Sequence, residues 1–165
     1  MMNKNPHSLH KIRFNDCDLF GHLNNARYLD YFMDAREDHL KNYYDFDLSA
    51  YYKKDMAWLV GSHEIAYLRA AQYNEQVIIQ STLLLAETSL LHFEVIMLNE
   101  SMDQLKSIMR TKLIPVNTKT GRKQHHPAEF LEWAKNLENA TAAGFESLQN
   151  RIGYLIVDLK GKAKE

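Results

Sequence analysis

Asp16 to Arg36 reads DCDLFGHLNNARYLDYFMDAR, and the two halves of this stretch obey different rules. Its first half, Asp16 to Asn25, gathers two aspartates, a glycine, a histidine and two adjacent asparagines, residue types that favour turns and loops. The second half is apolar with helical spacing: Tyr28, Leu29, Phe32, Met33 and Ala35 begin a stripe that continues through Leu40, Tyr43 and Tyr44. This spacing predicts a helix of about five turns. Asn24 stands where it would cap that helix. The N–H groups of Asn25 and Ala26 would then lie in the first turn, where they have no intrahelical acceptor and the dipole favours negative charge.

Upstream of the helix, Leu9 to Phe14 (LHKIRF) alternates apolar and polar residues as a short strand does. Downstream, Met56 to Arg69 reads as extended chain, with Gly61 marking a bend or bulge. QVIIQSTLLLAET from Gln76 and LLHFEVIMLNE from Leu90 are long and β-rich, and the second alternates Leu91, Phe93, Val95 and Met97 against His92 and Glu94. QLKSIMRTKLIPVNTKTGRK, from Gln104, predicts a fourth long strand with Pro115 limiting its pairing late in the run. After Pro127, AEFLEWAKNLENA places Phe130, Leu131, Ala134 and Leu137 on one face of a helix that the proline opens. The last segment, GFESLQNRIGYLIVDLKGKAKE, leaves an amphipathic helix and a short strand at YLIV both open, with the helix favoured. One helix segregated to a face of a mostly antiparallel sheet is an α+β layer architecture, and the sheet must curl around the long helix.

The 165 residues suit one domain, and 45% hydrophobic with 25% charged residues is an ordinary globular composition. Twenty basic residues against 21 acidic ones give a net charge of -1, which supplies no electrostatic case for a nucleic-acid or membrane partner. A single cysteine, Cys17, fits a reducing compartment, and no segment has an apolar run long enough to span a bilayer, so a cytoplasmic protein is expected. The aspartates on either side of Cys17 would raise its thiol pKa, which argues against a nucleophile there. The eight histidines show no metal-ligand spacing, and no metal is expected.

The stretch Asp16 to Arg36 resembles the hotdog-fold acyl-CoA thioesterases, specifically the 4-hydroxybenzoyl-CoA thioesterase-like family. It matches that family's pattern of Asp-x-Asp, two variable residues, Gly-His, a hydrophobic residue, Asn-Asn, two residues, and Tyr-Leu at the start of the central helix. HEIAYLRAAQYNEQVII, His63 to Ile79, is similar to the family's second strand and its turn into the third, although Ala70 and Asn74 stand where relatives often have proline and glycine. The likeness covers about residues 8–137 of one hotdog domain, with 138–165 as a C-terminal extension.

The resemblance implies an acyl-CoA thioesterase acting on a fatty-acyl or aryl-CoA, with coenzyme A as part of the substrate and no separate cofactor. It places Asp18 as the catalytic carboxylate, nucleophile or base for water, and Asn25 as the residue whose backbone N–H polarises the thioester carbonyl. Gly21, His22, Asn24, Ala26, Tyr28 and Arg69 become substrate-binding candidates, with His22 either orienting Asp18 or touching the acyl group. It further implies a homodimer or homotetramer with the active site between protomers. The residues themselves agree: hydrolysis of a thioester needs a base or nucleophile at the carbonyl carbon and donors aimed at the developing oxyanion. A hotdog hydratase or dehydratase, a carrier-protein thioesterase and a non-catalytic acyl-binding protein remain the alternatives.

Overall fold

The computed structural model of the chain describes residues 1–162. The apolar stripe forms α1, Arg27–Tyr44, an 18-residue helix that buries Tyr28, Phe32, Ala35 and His39. Asp45 ends it in the left-handed conformation at φ 50°, its N–H returning to the Leu40 and Lys41 carbonyls, a C-terminal closure that Asp tolerates better than most residues. A five-residue helix, α2 (Leu48–Tyr52), follows directly.

Five strands make one antiparallel sheet: β1 (His7–Lys11), β2 (Met56–Tyr67), β3 (Gln76–Glu87), β4 (Leu90–Asn99) and β5 (Leu105–Asn117), in the spatial order β1-β3-β4-β5-β2. The sheet curls about α1, which packs on β1, β3 and β4. This is the hotdog arrangement that the motif implies. β1 is shifted toward the N-terminus relative to the expected Leu9–Phe14, because Phe14–Asp16 closes into a 3-10 turn with the Cys17 N–H bonded to the Phe14 carbonyl. Gly61 does sit at a bulge, where pairing with β5 shifts between Val60 and Ser62. Pro115 lies beyond the last β4–β5 pair, Leu91 with Leu113, so its missing N–H breaks no ladder there.

After the sheet come α3 (Ala128–Leu137), α4 (Ala140–Ala143) and α5 (Leu148–Lys162). YLIV is thus helical, and Ala163 to Glu165 lie outside the described residues. α5 packs Leu148, Ile152, Leu155 and Leu159 on Ile96, Leu98, Leu105 and Ile108, the sheet face turned away from α1. β4 is therefore buried on both faces, which is why its polar Glu94 is only 1% exposed. Arg110 Nε at 3.1 Å and Arg151 Nε at 2.9 Å hold that carboxylate, and Arg110 Nη1 also donates to the Phe145 carbonyl at 2.8 Å. These charges fasten α5 and the segment before it to the sheet.

Candidate active site

The polar half of the motif is a loop whose backbone is laced to its surroundings. Asp18 N–H donates to the His22 carbonyl at 2.8 Å and Gly21 N–H to the Asp18 carbonyl at 3.1 Å. Gly21 takes φ +73°, a conformation glycine adopts without a Cβ penalty. Leu23 N–H reaches the Ala71 carbonyl and Tyr73 N–H the Gly21 carbonyl, so the loop is seated on the connection between β2 and β3. Asn24 N–H donates to the Asp16 carbonyl at 2.8 Å, which joins the loop to the start of α1.

Asp18 is exposed, and its two carboxylate oxygens differ. Oδ1 accepts from the Phe20 N–H at 2.9 Å and the His22 N–H at 3.1 Å. Oδ2 has no partner among the described residues. One oxygen thus anchors the side chain and the other is free to take a proton or to attack. Asp16 has a different situation: its Oδ2 accepts from the Tyr31 hydroxyl at 2.8 Å, and the Arg27 guanidinium stands 3.9 Å from Oδ1. That ties the loop to α1 and uses Asp16 structurally.

Asn24 does not cap α1 directly. Ala26, in helical conformation, occupies the cap position, and Asn24 closes a turn ahead of it. The Asn24 side chain accepts from the Ala26 N–H at 3.0 Å and its carbonyl from the Arg27 N–H at 2.8 Å. The expectation of two free N–H groups is corrected accordingly: Ala26 is satisfied by Asn24, and Asn25 alone has no acceptor among the described residues. The Asn25 carbonyl accepts from the Tyr67 hydroxyl at 2.9 Å, which fixes the peptide from the β2 side.

The remaining candidates separate. Tyr28 is buried, its hydroxyl accepting from the Ala71 N–H at 3.1 Å and its ring meeting Tyr67 edge-on at 5.1 Å between centroids. It supports the helix start and the β2–β3 connection together. His22 is partly exposed, with its ring 6.5 Å from that of Phe20. Arg69 is not brought to the loop; it lines a groove with Leu68, Gln104, Ile156 and Lys160 on the α5 side of the sheet. Burial first, then Asp16 and Asp18, push the Cys17 thiol up, away from nucleophilic use. Among the described residues no three His, Cys, Asp or Glu side chains group to hold a metal ion, and no helix is long and apolar enough to cross a membrane.

Two features were not read from the sequence. Tyr67 carries no signal of its own within His63 to Ile79, and only the fold brings its hydroxyl to Asn25. The other is a cavity of about 160 Å³ beside α1, lined by Met33, Arg36, His39, Leu40 and Tyr44 on the helix. His39 bridges Ser8 Oγ and Ser81 Oγ at 2.8 Å each, and burial, reinforced by His10, His7 and Arg36, lowers its pKa to about 4. The sequence signal was present in Arg36 and His39, polar residues at helical spacing within an otherwise apolar stripe.

Residues 12–134 match the model of the thioesterase-like superfamily. No significant match was found among curated proteins. Solved structures resemble the fold at low identity. A DHNA-CoA thioesterase from Staphylococcus aureus superposes with a TM-score of 0.72 at 18% identity, over 79% of this chain and 87% of that one. A 1,4-dihydroxy-2-naphthoyl-CoA thioesterase from Synechocystis gives 0.70 at 15% identity, over 79% and 94% of the two chains. YbaW from Escherichia coli, described as a probable thioesterase, gives 0.68 at 23% identity, over 79% and 96%.

Proposed function

The chain belongs to the thioesterase-like superfamily, a thioester hydrolase family, and from that premise we propose that it hydrolyses acyl-CoA thioesters with Asp18 as the catalytic carboxylate and the Asn25 N–H as the oxyanion donor. The observation that carries this reading is the pairing of a free Asp18 Oδ2 with an unused Asn25 N–H, on a loop and helix start that Asn24 holds together. A thioester carbonyl set on the Asn25 N–H becomes more electrophilic, and the positive end of α1 favours the charge that develops on its oxygen. The carbonyl carbon gains one oxygen and the C–S bond breaks. The acid is released, and the CoA thiolate leaves with the electron pair and takes up a proton from solvent.

Asp18 Oδ2 can remove a proton from the attacking water or attack the carbonyl carbon itself, forming an anhydride that water then opens. In a single turnover in ¹⁸O-water, label in the Asp18 carboxylate shows the second route, because only an anhydride opened at its Asp18 carbonyl places solvent oxygen there. Gly21 lets the loop take its positive φ, Tyr28 ties the helix start to the β2–β3 connection, and the His22 N–H anchors Asp18 Oδ1. No cofactor beyond the CoA of the substrate is invoked.

A homodimer or homotetramer is part of the proposal, with the site completed between protomers. It is supported by the apolar side chains that flank Asp18 in the open: Leu19 is 102% exposed and Phe20 82%. β2 is an edge strand with exposed Leu59 and Val60, an unpaired ladder that another copy can cover. Thiol release from a panel of short, medium, long-chain and aryl CoA esters, repeated on the acyl-carrier protein, tests the activity and its carrier. Absence of release from every ester would defeat it.

A further inference from the structure

The cavity beside α1 holds a charge that the fold does not balance. Its walls are mostly apolar and aromatic, with Trp58 from β2, Leu91 and Phe93 from β4, Leu113 from β5 and Trp133 from α3, beside the polar His39, Ser81 and Thr82. Arg36 enters this space from α1, its guanidinium carbon 4.1 Å from the Phe93 ring centroid. Among the described residues Arg36 forms no ion pair, and the only partner that raises its pKa is Tyr44. Burial lowers that pKa to about 10, so the side chain is still a cation at neutral pH. Arg36 is only partly buried and its guanidinium keeps contact with solvent, while the Phe93 ring against one side leaves N–H edges for a planar acceptor in the cavity.

The position of Arg36 relates the cavity to the proposed chemistry. Arg36 follows Asn25, which stands just before α1, by about 16 Å along the axis, and it shares one face of the helix with Leu29 and Met33. Leu29 and Met33 fill the same face between them, both partly buried against the core. Across from this face, β2 presents Tyr67, Ile65 and His63, paired with Ser107, Met109 and Thr111, and beyond the Gly61 bulge Val60 faces the cavity. Met33 belongs both to this face and to the cavity lining, so an acyl chain that starts at Asn25 and follows this face ends at Arg36.

We propose that this cavity receives the distal end of the acyl chain and that Arg36 pairs there with a carboxylate, making the preferred substrates medium- to long-chain acyl thioesters that end in a second carboxyl group. This rests on the thioesterase reading for the placement of the carbonyl, and it goes beyond it in naming the substrate class. A chain ending in methyl would reach the same depth but would leave the cation unpaired and displace whatever solvent it keeps. The carboxylate supplies two in-plane acceptors to the guanidinium edge.

The test compares, at each of several chain lengths, an ω-carboxyacyl-CoA with the acyl-CoA of equal length ending in methyl. The expected result is a kcat/KM at least about tenfold higher for the carboxylated ester at the matching length, from charge-assisted hydrogen bonding. In Arg36→Gln the ratio falls to near one, and Arg36→Lys, which keeps the charge but not the planar fork, gives an intermediate ratio. A wild-type ratio near or below one at every length overturns the proposal, whatever the variants do. Binding of free α,ω-dicarboxylic acids and matched monocarboxylic acids, measured by calorimetry, needs no turnover. If no ester is hydrolysed the thioesterase reading fails alone; Arg36-dependent preference for the diacid then still upholds the carboxylate site, and absence of that preference removes it.

Discussion

Replacing Glu94 by glutamine probes the charge cluster that lets α5 cover the sheet. Glu94 is 1% exposed and accepts from Arg110 and Arg151, each 6% exposed, on its two carboxylate oxygens. The amide keeps the shape and one acceptor but removes the charge, so two buried guanidinium groups face each other with a single neutral oxygen between them. Breaking a buried pair from one side costs about 3–5 kcal/mol, and the retained acceptor places Glu94→Gln near the lower end, about 3 kcal/mol. For a domain of this size that is a fall of roughly 6–12 °C in Tm. Urea unfolding followed by circular dichroism measures it, with the midpoint lowered and the slope unchanged. A loss below about 1 kcal/mol would mean that the cluster is hydrated or dispensable, and that α5 is fastened by its apolar contacts instead.

Two further outcomes follow from other parts of the molecule. Because burial lowers the His39 pKa from 6.5 to about 4, the unfolded chain binds that proton first; stability is therefore full above about pH 6.5 and declines as pH falls toward 4. His39→Gln should flatten that part of the pH–stability curve, and an unchanged slope would show that His39 is not the group responsible. Tyr67→Phe removes the hydroxyl that holds the Asn25 carbonyl at 2.9 Å, one hydrogen bond, and should lower kcat by roughly 2- to 13-fold with a smaller change in KM. A change confined to KM would instead place Tyr67 in substrate binding.

The motif made much of this legible. The periodicity from Tyr28 marks the long helix because nothing competes with it over that span, and the four long strands stand at nearly their expected limits. The loop was legible in outline only: Asn24 has the residue type of a cap, but whether its side chain serves the helix or the turn before it depends on where Asp16 and Ala71 lie, which local sequence does not encode. β4 misleads in a different way. Its alternation of Leu91, Phe93, Val95 and Met97 against His92 and Glu94 reads as one buried face, whereas α5, remote in sequence, buries the other. Arg69 belongs to the second motif in sequence, yet it lies past the end of β2, where the Leu68 and Arg69 N–H groups both bond the Lys106 carbonyl and the chain leaves Arg69 lining a groove on the α5 side.

The most direct measurement of the central claim is single-turnover thioester cleavage by wild type and Asp18→Asn, with folding checked by circular dichroism. The substituted amide keeps an oxygen to accept from the Phe20 and His22 N–H groups, so the loop should hold while the base or nucleophile is lost. With Asp18 as the catalytic carboxylate, CoA release from the variant slows by about 100-fold or more while substrate binding changes little. Cleavage at the wild-type rate by a folded Asp18→Asn protein would contradict it.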